Sequence, residues 1–157
     1  MSSYKRFTLV LLRDGSRILL GKKKRGFGQG KWNGFGGKIE PNESIMEAAK
    51  RELYEECSMT SSALEKLAIL HFEFEGNPII MEVHVFTTRK FTGIPTESEE
   101  MKPHWFEERD IPYNEMWLDD TYWWPYFLKN QKFRGYFKYR GYDTILSYDI
   151  QEVSYVD

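Results

Sequence analysis

Three glutamates stand within five residues late in the segment ESIMEAAKRELYEECSM, Glu43–Met59. On a helical wheel at about 100° per residue, Ile45, Met46, Ala49 and Leu53 form an apolar stripe roughly 100° wide. Glu47, Lys50, Arg51 and Tyr54 fall on the far side. Glu52, Glu55 and Glu56 gather at one border of the stripe, because residues three and four apart are neighbours on a helix. Such like charges repel by a few tenths of a kcal/mol per pair. They also lie near the end of the helix whose dipole favours cations. Arg51 offers one partner only. A hard divalent cation resolves the conflict, since Mg²⁺ prefers oxygen ligands and bridges carboxylates to substrate phosphates. A glutamate-rich helix taken alone is more often a solvated face, so its surroundings decide.

A second pair of acids raises a different question. In MWLDDTYWWPYF, Met116–Phe127, Asp119 and Asp120 sit among six aromatic residues. Aromatic rings favour burial and ionised carboxylates resist it. One reading is a helix N-cap. Pro125 weakens it: a helix capped at Asp119 or Asp120 calls on an N–H that proline lacks, so the helix starts later or its first turn is distorted. The other reading is a ligand pocket in which the two acids share one proton. A protonated acid donates and a carboxylate only accepts.

The elements that position these residues follow from periodicity and turn chemistry. FTLVLL (Phe7–Leu12), the turn RDGS and RILLG (Arg17–Gly21) read as a hairpin. The glycine-dense KKKRGFGQGKWNGFGG reads as loop with one short strand at Trp32–Phe35. The helix covers Ser44–Met59. KLAILHFEFE and IIMEVHVFTT read as strands joined by the turn Glu75–Pro78. MKPHWFE is a further short strand, and Thr121–Lys129 a second helix. FRGYFKY, the turn RGYD and TILSYDIQEV close the chain as another hairpin. Many strands with two helices predict an α+β fold built on a mixed sheet, not a bundle or a doubly wound parallel sheet. At 157 residues the chain has the length of one domain, residues 1–157.

The carboxylate helix is embedded in a longer pattern. Gly37, Glu43, Arg51, Glu52, Leu53, Glu55, Glu56 and Met59 reproduce the Nudix box, in which G, five residues, E and seven residues precede R-E-U-x-E-E-x-G-U, U being a bulky aliphatic. Ser58 departs, standing where the box has glycine. Glycine suits a left-handed helix end, and serine there costs on the order of 1 kcal/mol. KKRGFG.G.WNGFGGK, FEF, VHVF, W.DD.YW.P and GYF extend the resemblance over nearly the whole chain, toward the oxidised-purine triphosphatases within the Nudix family. The resemblance implies the Nudix fold, a mixed sheet sandwiched between helices. It implies Mg²⁺-dependent hydrolysis of 8-oxo-dGTP, 2-oxo-dATP and their ribo counterparts to monophosphate and pyrophosphate, with Mn²⁺ as a substitute ion. Carried over by position, Glu56 and Glu52 are the main metal ligands, with Glu55, Glu43, the Gly36 carbonyl and Glu100 in support. Arg51 orients the carboxylates. A glutamate takes the proton of a water that attacks the β-phosphorus. Trp117 stacks on the purine while Asn33, Asp119 and Asp120 bind its edges. Thr8, Lys23, Phe27, Phe72, Phe74, Met81, Met101 and Trp123 complete the pocket, with Lys23 near the sugar or phosphates.

Other functions find less support. A net charge of −2 gives no global attraction to nucleic acid or anionic membrane. No apolar run reaches the length of a membrane span. A lone cysteine, Cys57, permits no intrachain disulfide and fits a reducing compartment. The expectation is a cytoplasmic monomer, with mitochondrial and nuclear fractions open. No Walker A or G-x-G-x-x-G motif is present, and His71, His84 and His104 lack metal-ligand spacing. Two rivals remain. One is a pyrophosphohydrolase of dinucleoside polyphosphates, modified purine monophosphates or RNA caps. The other is a nucleotide sensor without catalysis, against which the intact Glu43/Glu52/Glu55/Glu56 set argues.

Overall fold

The computed structural model describes residues 3–157. Its strands are β1 (Ser3–Asp14), β2 (Arg17–Lys23), β3 (Trp32–Asn33), β4 (Glu65–Phe74), β5 (Ile79–Thr88), β6 (Met101–Glu107), β7 (Phe133–Arg140) and β8 (Thr144–Glu152); the helices are α1 (Ile45–Cys57) and α2 (Asp120–Leu128). The strands form one mixed sheet in the order β3-β2-β1-β5-β4-β7-β8, with β6 paired to β2. The three hairpins β1–β2, β4–β5 and β7–β8 are antiparallel. β1–β5 and β4–β7 are parallel pairs between distant segments.

Alternation along the strands makes two cores, one on each face. Leu9 and Leu11 of β1 join Leu70, Val83, Val85, Phe133, Phe137 and Tyr139 beneath Trp123, Trp124 and Phe127 of α2. Val10 and Leu12 point the other way, to Ala49, Leu53 and Cys57 of α1 with Phe35, Met59 and Phe86. The mixed sheet between helices is thus the expected architecture. Arg13 fastens the end of β1 to the α2 side. Its buried guanidinium donates to Phe127 O (3.3 Å), Asn130 Oδ1 (3.0 Å) and Glu108 Oε1 (2.7 Å).

The expected strand Trp32–Phe35 is shorter, ending at Asn33. The chain beyond it crosses onto β1 instead, where Phe35 N–H and Val10 N–H exchange bonds at 3.0 and 2.6 Å. Glycine is required there. A Cβ on Gly36 would lie 1.8 Å from Thr8 O, and one on Gly34 2.7 Å from Val10 O. Among the described residues no helix is long and apolar enough to cross a membrane.

Candidate active site

α1 begins at a capping box. Ser44 Oγ accepts the Glu47 N–H at 3.0 Å, and Glu47 Oε1 accepts the Ser44 N–H at 2.9 Å. The helix is two residues shorter at its end than expected, and Ser58 takes a left-handed conformation (φ 64°, ψ 23°) while its N–H donates to Tyr54 O. The glycine is absent, but its backbone shape is kept.

Arg51 lies away from the apolar stripe, as the wheel predicts, but that face is not open to solvent. The segment before α1 covers that face, and the guanidinium folds under it as a hub. It grips Glu43 through Nε (2.6 Å) and Nη2 (3.0 Å), and reaches Glu52 (2.9 Å), Glu55 (3.2 Å) and Lys38 O (3.3 Å). The Arg51 hydrogen bond holds the Glu43 carboxyl below its ordinary range. The three clustered glutamates therefore separate by environment. Glu55 is exposed and leans on Arg51. Glu52 is half-buried against Gly37, where a Cβ would come within 2.7 Å of Glu52 Oε1. Glu56 is 4 % exposed.

Glu56 is the most perturbed of the set. Burial pushes its carboxyl up to about 7, the Glu52 and Glu100 charges push the same way, and only the Gly36 N–H at 2.9 Å and the Lys23 charge oppose. Burial also raises Glu52, in spite of Arg51. Glu100 faces the same region but is held low by Arg25 (2.8 Å) and Lys23 (3.2 Å). Among the described residues no cationic side chain pairs with Glu56, and no three acidic, histidine or cysteine side chains already close around one point. The donors are hard oxygens, and Glu56 is buried without a paired cation while Glu52 shares Arg51 with Glu43 and Glu55, so a divalent cation would supply the charge they lack. Glu52 and Glu56 fit that role best. Glu55 stands further out, and Glu100 reaches it only by leaving Lys23 and Arg25.

Above this carboxylate end opens a cavity of about 280 Å³. Ligand pockets run to roughly 300–1,000 Å³, so this one suits a base and its near surroundings. Every residue expected for the base pocket lines it: Thr8, Lys23, Phe27, Asn33, Phe72, Phe74, Met81, Met101, Trp117, Asp119, Asp120 and Trp123. Gly36, Gly37 and Glu56 line it too, so the pocket and the carboxylates share one space. Trp117 is a wall, with the Phe27 ring 5.0 Å away at 31° and the Lys31 ammonium 5.2 Å from its centroid. Gly28 lies beside the indole with φ 85°, a conformation that favours glycine. Asn33 Oδ1 accepts the Gly34 N–H at 2.8 Å, which leaves the amide NH₂ to donate.

The N-cap reading of the acid pair is overturned. Asp119 sits just before α2 in helical conformation (φ −63°, ψ −25°) and caps nothing. Its Oδ1 accepts the Tyr139 phenol at 2.6 Å and its Oδ2 the Trp123 indole N–H at 2.8 Å. The helix does not start later: it runs from Asp120 with Pro125 inside it. Asp119 and Asp120 are 4 % and 2 % exposed. Burial raises both, and the Asp119 charge drives Asp120 well above the usual carboxylate range.

The sequence reading missed Tyr139, Lys31, Phe7, Leu9, Leu70 and Val83, all of which line the cavity. Period-two alternation with Phe72 and Phe74 on the paired strands was the available signal for Tyr139. The histidines take ordinary places: His71 and His84 both meet Glu82, at 3.2 and 2.8 Å, and His104 packs on Phe106 and Trp32.

Comparison with known proteins agrees with this arrangement. The NUDIX domain model matches residues 4–127. The chain is 50 % identical over 153 residues to the mouse oxidized purine nucleoside triphosphate hydrolase, covering 98 % of both chains. Identity to the Danio rerio protein of the same name is 48 %, again over 98 % of both. Among solved structures, the MutT protein from Bacillus halodurans superposes with a TM-score of 0.84 at 28 % identity, over 94 % of this chain and 97 % of that one. A glutamate helix with one buried carboxylate, a matching domain model and relatives that run its full length agree: the chain belongs to the Nudix hydrolase family.

Proposed function

We propose that this protein is a Mg²⁺-dependent pyrophosphohydrolase that removes oxidised purine nucleoside triphosphates from the nucleotide pool, acting as one domain and as a monomer. The family as a whole works with a divalent cation, and the two animal relatives are oxidized purine nucleoside triphosphate hydrolases by name. The observation that carries the reading is the shared space. A buried acid pair and a tryptophan wall open onto the same cavity as Glu56 and Gly36.

Within that cavity each residue has a task its surroundings suit. Trp117 offers a flat face to a purine. The Asn33 amide donates, and Asp119 and Asp120 meet the base edge with one proton between them. Lys23 stands where it can leave Glu100 for a phosphate oxygen. Glu52 and Glu56, oriented by Arg51 and by the Gly36 N–H, would hold the Mg²⁺ ion, and Glu55 and Glu100 would complete the set. When bound, that ion neutralises phosphate oxygens and acidifies a water. A glutamate of this group takes the water's proton, and attack at the β-phosphorus leaves nucleoside monophosphate and pyrophosphate.

The test is steady-state hydrolysis of 8-oxo-dGTP, 2-oxo-dATP, dGTP and dATP with pyrophosphate detection. The oxidised substrates are expected to have the higher kcat/KM, and equal values for oxidised and normal purines would sink the reading. Asp119→Ala is expected to alter base preference more than turnover.

A further inference from the structure

The acid pair at the base end of the cavity is not symmetric. Tyr139, from β7, is 1 % exposed and its oxygen has two bonds: it donates to Asp119 Oδ1 at 2.6 Å and accepts the Asp119 N–H at 3.1 Å. The Trp123 indole N–H fills Asp119 Oδ2 at 2.8 Å. Both oxygens of Asp119 thus face a donor. Asp120 is different, since its Oδ2 is buried and has no partner.

We propose that Tyr139 is a positioning residue for base selection: its phenol reserves Asp119 as the acceptor of the pocket and leaves Asp120 to carry the shared proton, so the donor–acceptor order met by the purine is fixed. The inference rests on the reading of Asp119 and Asp120 as base-binding groups.

The chemistry of the donors supports the order. Donors fill one lone-pair site on each Asp119 oxygen, and each of those bonds is stronger to a carboxylate than to a neutral acid. Indole has no lone pair with which to accept a proton from Asp119 in exchange. A proton on Asp120 Oδ2 meets no such competitor. The other groups around the pair are Trp124 on α2, Tyr113 before it and Lys31 ahead of β3. The Trp124 side chain, the Trp117 backbone N–H and the Lys31 charge favour an ionised Asp120, yet burial and the Asp119 charge outweigh them. Tyr139 and Trp123 hold Asp119 back from the rise that burial imposes. Tyr139 is itself driven up by burial and by the Asp119 charge, so it stays a donor.

A fixed order discriminates between bases. A 6-oxopurine accepts at its C6 carbonyl and donates from N1 and the C2 amine. A 6-amino-2-oxopurine donates at C6 and accepts at C2. Anchored alike by their triphosphates, the two demand opposite arrangements of the acids. Only one is met without moving the proton onto Asp119.

The experiment compares kcat/KM for 8-oxo-dGTP and 2-oxo-dATP in the wild type and in Tyr139→Phe, with Tm measured alongside. The wild type is expected to prefer one base, and the variant to shrink that preference by about tenfold, the worth of one hydrogen bond to a charged group. The change is expected mainly in KM. A wild type without preference, or a variant that keeps the same ratio, overturns the proposal. Removing the phenol oxygen also strips a partner from the Asp119 N–H, so a second measurement uses the wild type alone. In ¹³C-carboxyl NMR of aspartate-labelled protein at neutral pH, Asp119 is expected to report a carboxylate and Asp120 a carboxylic acid. The reverse assignment overturns the proposal. Failure of the oxidised-purine reading would appear as equal hydrolysis of normal and oxidised purines, and the NMR order is decided independently of it.

Discussion

Arg51 decides which carboxylates near α1 are left without a counter-charge. One guanidinium contacts Glu43, Glu52 and Glu55. Glu56, one turn beyond Glu52, is outside its reach and depends on a backbone N–H. Lysine keeps the charge of Arg51 but not the fork that holds Glu43 by two bonds. Arg51→Lys is therefore expected to lower kcat roughly 10–100-fold, as loss of a partner that orients metal ligands does. Steady-state kinetics at saturating Mg²⁺ and substrate, with Tm as the check on folding, measures this. An unchanged kcat would show that the carboxylates need no such support.

At the scale of elements, α1 carries a conflict at its end. Ser58 holds φ 64°, a region where a side chain costs about 1 kcal/mol relative to glycine. Ser58→Gly is expected to stabilise the protein by about 0.5–1 kcal/mol in urea unfolding, less the entropy that glycine restores to the unfolded chain. A loss of stability would mean that Ser58 gains something its exposed side chain does not reveal. The elements were largely legible in the sequence because their signals are local. Alternation gave the hairpins, and the 3.6-residue period with Ser44 gave α1. The parallel pairs β1–β5 and β4–β7 left no such mark, since nothing in Phe7–Leu12 names Val83–Thr88 as its neighbour. The same holds at the site. Asp119 was visible as an odd charge among aromatics, whereas its partner Tyr139 is 20 residues away on another strand. The pairing of Arg51 with the glutamates was expected, but the wheel could not show the segment before α1 folding over that polar face.

For the molecule as a whole, the burial of Glu56 ties stability to pH and to the cation. Its carboxyl rises from an ordinary 4.5 to about 7 on folding. A group raised in this way contributes stability that is fully present below about pH 4.5 and lost as pH climbs through 7. The loss is at most about 3 kcal/mol. Metal-free protein is thus expected to melt at a lower temperature at alkaline than at mildly acidic pH, through this group. Glu56→Gln removes the dependence and should raise Tm in the alkaline range while abolishing turnover. Adding Mg²⁺ at alkaline pH should raise Tm in the wild type more than in Glu56→Gln. Thermal melts across pH, with and without Mg²⁺, check all three, and identical curves for the two proteins would remove Glu56 from the balance.

The cavity is also assembled from separate stretches of the chain. Glu56 of α1 and the Gly36–Gly37 corner line one end, whereas β4, β5, β7 and the α2 region line other walls with Thr8 of β1, Lys23 of β2 and Asn33 of β3. A single atom of the lining, such as the phenol oxygen of Tyr139, can therefore be removed without touching α1 or the Gly36–Gly37 corner. Shape at one end and charge at the other are separate edits.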